Sequence, residues 1–209
     1  MLIKKQSPLN FSILERMIKI LFFCLLVIAL GLASCNNDFT PKPRGYFRIA
    51  LPSRNYQLLD SIYPYKFEFP AYAHITNDPN SPQEKNWINI EMPVFHGRIH
   101  ISYKSLTDQG KLTTYTEDTR TLAMKHMTKA SGIKQIAIND PKRRVYGIVY
   151  EINGLGAASP YQFYLTDSTK HFVRGSLYFD VVPNNDSLSP VIDFVKSDIQ
   201  HIFETINWK

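Results

Sequence analysis

One stretch constrains this chain more than any other: the run Ile18–Ala33, reading IKILFFCLLVIALGLA, is almost wholly apolar. Lys4, Lys5, Arg16 and Lys19 lie before it or near its start, and polar Asn36-Asn37-Asp38 follows at once. A basic stretch, an apolar core and a polar boundary, in that order, form the pattern of a secretory signal. The rival is a transmembrane helix, which needs about 20 apolar residues; this run is somewhat short for that. The run therefore assigns the start of the chain to targeting and leaves the remainder to fold.

The boundary separates the two readings. Leu32-Ala33-Ser34-Cys35 resembles the lipobox of bacterial lipoproteins, an aliphatic residue and two small residues before cysteine. Small residues admit the chain to the signal peptidase. The thiol is diacylated before cleavage, and the freed amine of Cys35 is commonly acylated afterwards. Each buried methylene contributes roughly 0.8 kcal/mol, so two or three acyl chains anchor firmly where one would not. The alternative is an uncleaved anchor with an incidental cysteine. Residues 1–34 are thus read as a lipoprotein signal peptide, and 35–44 as the lipidated cysteine with a tether stiffened by Pro41 and Pro43. Residues 45–209 are read as a single globular domain. Met17-Ile18-Lys19 would begin a compact signal by itself, so Met17 is expected to be the true start. Peptides from Leu2–Arg16 in the unprocessed precursor would refute that.

Charge and cysteine usage narrow the function. The net charge is +6, but four of the 24 basic and one of the 18 acidic residues precede Cys35, which leaves +3 beyond it. So small a charge gives no argument for nucleic-acid binding. The two cysteines are Cys24 and Cys35. A mature exported domain then has no disulfide, thiol nucleophile or cysteine-ligated metal.

Segments that alternate or run apolar at strand length, bounded by Pro, Gly, Asn or Asp, predict strands at Tyr46–Leu51, Tyr65–Phe69 and Ala71–Ile75. Trp87–Met92 and Arg98–Tyr103 read as a hairpin around Gly97. Further strands are expected at Ile133–Ile138, Arg144–Ile152, Tyr161–Leu165 and His171–Val182. Leu112, Tyr115, Thr119, Leu122, Met127 and Ala130 form a helical stripe that stops at Ser131-Gly132. Val191, Val195, Ile199, Ile202 and Ile206 form a second, widened by Phe194 and Phe203. Ser189 suits its N-cap and Pro190 its first turn. Short connections favour antiparallel pairing. The fold class is α+β, a mainly antiparallel sheet packed with two long helices. Helix–sheet–helix sandwiches of the PsbP/Mog1 type have a similar element order.

No motif carries catalysis. His96 and His100 are four apart on a strand, about 13 Å, which is too far for one zinc ion, and no His-Glu-x-x-His occurs. Ser131-Gly132-Ile133-Lys134 has Ser-x-x-Lys spacing but follows a helix instead of opening one. Gly154-Leu155-Gly156 lacks the third glycine and following helix of a phosphate loop. Glu68, Glu91, Glu151 and Asp180 sit singly in strand-like segments. Lys142-Arg143-Arg144 is a local basic cluster that reads as a solvated turn. No catalytic residue, metal ligand or cofactor is assigned.

Three blocks carry a family resemblance: Pro41–Ile49 (PKPRGYFRI); Tyr161–Ser168 with His171–Phe179 (YQFYLTDS and HFVRGSLYF); and Pro183–Leu188 (PNNDSL). Together they resemble the gliding-motility lipoproteins GldD of Bacteroidota across essentially the whole mature chain. The resemblance implies a place in the envelope machinery that moves surface adhesins and is tied to type IX secretion. Other envelope proteins are the implied partners, alongside the membrane reached through the lipid; nucleic acid is not. It brings no catalytic residues. With Asp38 the sole acidic residue near Cys35, a periplasm-facing position is expected over surface display. In Tyr161–Leu165 one face holds Tyr161, Phe163 and Leu165, and the other Gln162 and Tyr164. Tyr164, Arg174 and the Arg44–Arg48 segment, with both arginines, make a candidate docking surface. The alternative is that these aromatics pack the sheet against the helices. A non-enzymatic scaffold is the leading function; a lipid-tethered envelope enzyme and a small-ligand binder are the alternatives.

Overall fold

The computed structural model describes residues 9–32, 49–107 and 109–209. The chain divides into two compact units, residues 1–45 and 46–209. In the first, α1 (Leu9–Leu32) carries the apolar run as an unbroken helix. Leu, Ile, Phe and Ala fill it, and it contains no proline. Among the described residues, no helix is long and apolar enough to cross a membrane. Leu32 closes α1; Ala33, Ser34, Cys35, Arg44 and Arg48 lie outside the described residues.

The second unit runs β1 (Tyr56–Leu59), β2 (Tyr65–Pro70), β3 (His74–Asn77), β4 (Ile88–Met92), β5 (Gly97–Ser105), α2 (Gln109–Met124), β6 (Gly132–Asp140), β7 (Val145–Asn153), β8 (Tyr161–Thr166), β9 (His171–Phe179), α3 (Asn185–Thr205) and β10 (Asn207–Trp208). Every strand pair is antiparallel. A seven-stranded sheet has the order β3-β4-β5-β9-β8-β7-β6, and a three-stranded one the order β1-β2-β10. The large sheet is two meanders joined edge to edge. β5 pairs with β9 along its whole length, Gly97 with Phe179 through Ser105 with His171. This long-range pairing creates the central seam, and α2 carries the chain from there to the far edge at β6.

Alternation decides what each sheet face buries. One face presents Ile88, Ile90, Met92, Ile99, Ile101, Val149, Phe163, Leu165, Val173 and Leu177, which share a core with α3 and β2. Gly175 has no side chain because Phe163 occupies that space, with its ring edge-on to Phe203 of α3 at 4.7 Å. The other face packs Tyr150, Ile152, Tyr164 and Phe172 under α2, around fully buried Ala123. The result is helix on sheet on helix, with the expected α+β class and antiparallel sheet.

Several boundaries differ from those expected. Ile49–Leu51 is not in a strand, and the rest of the expected Tyr46–Leu51 strand lies outside the described residues. The chain leaves β2 at Pro70, which has no N–H to extend the ladder. It turns through the 3.0 Å bond from Ala73 N to Pro70 O, so β3 starts at His74 and not at Ala71. β9 ends at Phe179, short of Val182. α2 is α-helical to Met124 and finishes as a 3-10 turn, Lys125–Thr128. α3 starts four residues before the expected cap. Its N-cap is Asn184, whose side chain accepts from the Ser187 amide, and Pro190 lies inside the helix.

Candidate functional site

α2 covers only part of its sheet face. Apolar residues lie beneath it; toward β4 and β5 the same face turns polar, with Asn89, Arg98, His100, Ser102, Arg174 and Ser176. Cross-strand register places them together: His100 faces Ser176, Ser102 faces Arg174, and Arg174 faces Tyr164.

Arg174 is the centre of this seam. It is half-buried, and its Nη2 donates to Gln162 Oε1 at 3.2 Å. Gln162 is fully buried, and its amide nitrogen lies 2.9 Å from His126 Nε2 at the end of α2. Arg174 Nε is buried with no partner, as is Ser176 Oγ. No carboxylate among the described residues pairs with Arg174. A cation withdrawn from water without a counter-charge is costly, and burial pulls its guanidinium below its ordinary value while leaving it protonated. The surrounding histidines do not add charge. Burial lowers both His100 and His126; at His126 the Arg174 charge adds to it, and at His100 the opposing pull of Asp78 is outweighed by burial with Arg174 and Arg98, so the neutral ring is favoured in each at pH 7. His100 Nδ1 lies 2.6 Å from Asn89 Oδ1 and its Nε2 3.8 Å from Asp78. The seam thus offers one unpaired guanidinium, a buried hydroxyl and two neutral imidazoles, a set that favours an incoming carboxylate or other anion.

Ser176 Oγ makes no hydrogen bond even though His100 stands opposite it, so no nucleophile–base pair forms. Among the described residues, no three His, Cys, Asp or Glu side chains come together as a metal site. The carboxylates that read as isolated have ordinary partners: Glu68 with His201 at 2.6 Å, Glu91 and Asp180 with Arg98, and Glu151 with Lys134 and Lys196.

Of the candidate docking residues, the structure keeps Arg174 at the seam and moves Tyr164 into the core. Tyr164 stacks on Phe172 at 5.3 Å, 15° from parallel, under α2. Its position opposite Arg174 was legible; its burial was not, because that required knowing that α2 covers β8. The strand period put Gln162 on the same face as Tyr164, but its bonds to Arg174 and to His126 required the tertiary structure.

The arrangement defines an α+β domain with a helix on each sheet face and a polar seam beside α2. A family model described as gliding motility lipoprotein GldD matches residues 36–208, and the chain belongs to that family. Membership makes it a membrane-anchored lipoprotein of the cell envelope with a part in gliding motility. Among solved structures, the solution structure of cyanobacterial PsbP from Synechocystis sp. PCC 6803 aligns with a TM-score of 0.46 at 10% identity, covering 81% of this chain and 100% of that one. No curated protein matches the chain.

Proposed function

We propose that the protein is a non-enzymatic scaffold of the gliding apparatus, held to a membrane by lipid on Cys35 after a signal peptide is removed behind Ser34. The reading takes Met17 as the start, faces the domain to the periplasm and links it to type IX secretion. The observation that carries it is the seam: Arg174 is kept charged and half-buried, and no carboxylate among the described residues pairs with it. A group held at that cost is suited to a partner's acidic side chain, whose arrival would supply the missing counter-charge.

Deletion of the gene, followed by filming of single cells on glass and assay of secreted enzyme activity, tests the process. Gliding should be lost, restored by the wild-type gene and not by Cys35→Ala; the secretion assay reads the type IX link. Arg174→Ala tests the seam. The expected result is a folded, membrane-bound protein that neither supports gliding nor retains its envelope partners in a pull-down. Unchanged motility and pull-down would sink the docking role.

A further inference from the structure

A second site stands at one end of the large sheet, remote in kind from the Arg174 seam. The β6–β7 turn and the β8–β9 turn lie side by side there, because β7 pairs with β8, and β10 joins them. Arg144 and Ser168, one in each turn, hold left-handed backbone at φ 53° and 65°. Cross-links fix the turns: Arg144 Nη2 donates to Thr169 Oγ1 at 3.0 Å, and Trp208 Nε1 donates to the Arg144 carbonyl at 3.0 Å. The Trp208 ring stacks on His171, 5.4 Å between centroids and 8° from parallel. The Tyr103 hydroxyl lies 3.0 Å from His171 Nδ1. Between these groups is a cavity of about 430 Å³.

The side-chain charge lining this cavity is predominantly positive: Lys142, Arg143, Arg144, Lys170 and Lys209 against Asp167. Asp167, its carboxylate side chain, is already consumed: Oδ1 accepts the amides of Thr169, Lys170 and His171, and Oδ2 the Thr169 hydroxyl. Arg143 turns away to Asp140 at 2.8 Å and to the carbonyls of Phe203 and Glu204. Lys209 Nζ is held by Asp60 at 2.6 Å. Lys142, Arg144 and Lys170 remain, with no carboxylate partner among the described residues. Three like charges held around a concavity by rigid turns repel one another and focus a positive potential into it.

We propose that this cleft binds a phosphate oxyanion. A tetrahedral phosphate offers three or more acceptor oxygens, enough to engage a guanidinium fork and two ammonium groups at once. The stacked Trp208 and His171 rings give the cleft an apolar wall suited to the ester side of such a group. Two sources present this chemistry to a membrane-anchored domain, the headgroup of an anionic phospholipid and free phosphate. The inference is independent of the Arg174 docking role.

The chain contains two tryptophans, Trp87 and Trp208, so fluorotryptophan labelling of the full chain in bilayer discs gives two fluorine resonances, assigned with Trp208→Phe. Inorganic phosphate, titrated with phosphatidylcholine discs, should move the Trp208 resonance saturably and leave that of Trp87 in place. Discs containing phosphatidylglycerol should move it without added phosphate if the headgroup is the source; a response to inorganic phosphate alone identifies the soluble ion. Lys142→Ala with Lys170→Ala should weaken the response about tenfold or more. Both positions are exposed in turns, so the fold is retained. Lys125→Ala with Lys129→Ala removes equal charge elsewhere and should leave it intact. A Trp208 resonance unmoved by both probes, or moved equally in the cleft double variant, overturns the proposal.

Discussion

At the residue scale, two buried carboxylates show how single side chains hold distant segments. Asp198 in α3, 1% exposed, accepts the hydroxyls of Tyr56 at 2.8 Å and Tyr72 at 2.7 Å. Burial, and then the Asp198 carboxylate, pushes Tyr56 up to about 12 and raises Tyr72 as well, so both are donors at neutral pH. Asp198→Ala leaves two hydroxyls short of an acceptor and should cost about 3 kcal/mol in chemical denaturation. Asp198→Asn keeps one acceptor oxygen and should cost less than half of that; equal losses would show that the site is filled by packing alone. Burial pushes the Asp167 carboxyl up, but the amides of His171, Lys170 and Thr169 and the Thr169 hydroxyl outweigh it and hold the group at about 2, against 3.8. A depressed folded value means that the contribution, about 2 kcal/mol, is complete above pH 4 and is lost as pH falls toward 2. The stability gap between wild type and Asp167→Asn should close across that window, and a gap that stayed constant would refute the account. Neither carboxylate's partners were legible. Asp198 reads as one polar residue in an amphipathic helix, and its tyrosines lie more than a hundred residues earlier.

At the element scale, α3 shows a conflict between local chemistry and packing. Pro190 lies inside the helix, where it removes a backbone hydrogen bond. The buried apolar residues Val191, Ile192, Phe194, Val195, Ile199, Ile202 and Phe203 each contribute about 2 kcal/mol, so packing wins and the helix continues through the proline. Pro190→Ala should restore the bond to the Asp186 carbonyl and, after loss of proline's restraint on the unfolded chain, stabilise by about 1 kcal/mol. A melting temperature at or below wild type would count against this. The helical period of α3 was legible because its apolar stripe is long. Its start was not: Ser189-Pro190 has the chemistry of a helix start, yet Asn184 does the capping. At the other end Arg143 caps the last carbonyls from a β-turn and Arg144 ties that turn to Thr169, so two of the three residues in a cluster that reads as solvated are structural. The strands β1 and β10 escaped notice because they are four and two residues long and gain their pairing only from β2.

At the scale of the whole molecule, the local pattern settled the fold class and the long-range pairing settled the sites. The sequence by itself determined the apolar run near the start of the chain, the two long helices, most strands of the large sheet and the alternation that gives each strand two faces. These depend on period, on turn residues and on short motifs, which act between near neighbours. Only the tertiary structure decided that β5 lies against β9, that α2 covers one half of a sheet face, and that two hairpin turns and the last strand converge. Those decisions fix which alternating position is core and which is surface: Tyr164 goes under α2, while Arg174, opposite it on β9, is left without a carboxylate partner among the described residues. They also gather Lys142, Arg144 and Lys170 around one cavity. The physical reason is that burial and unpaired charge are properties of a position in space, set by contacts between residues far apart in the chain.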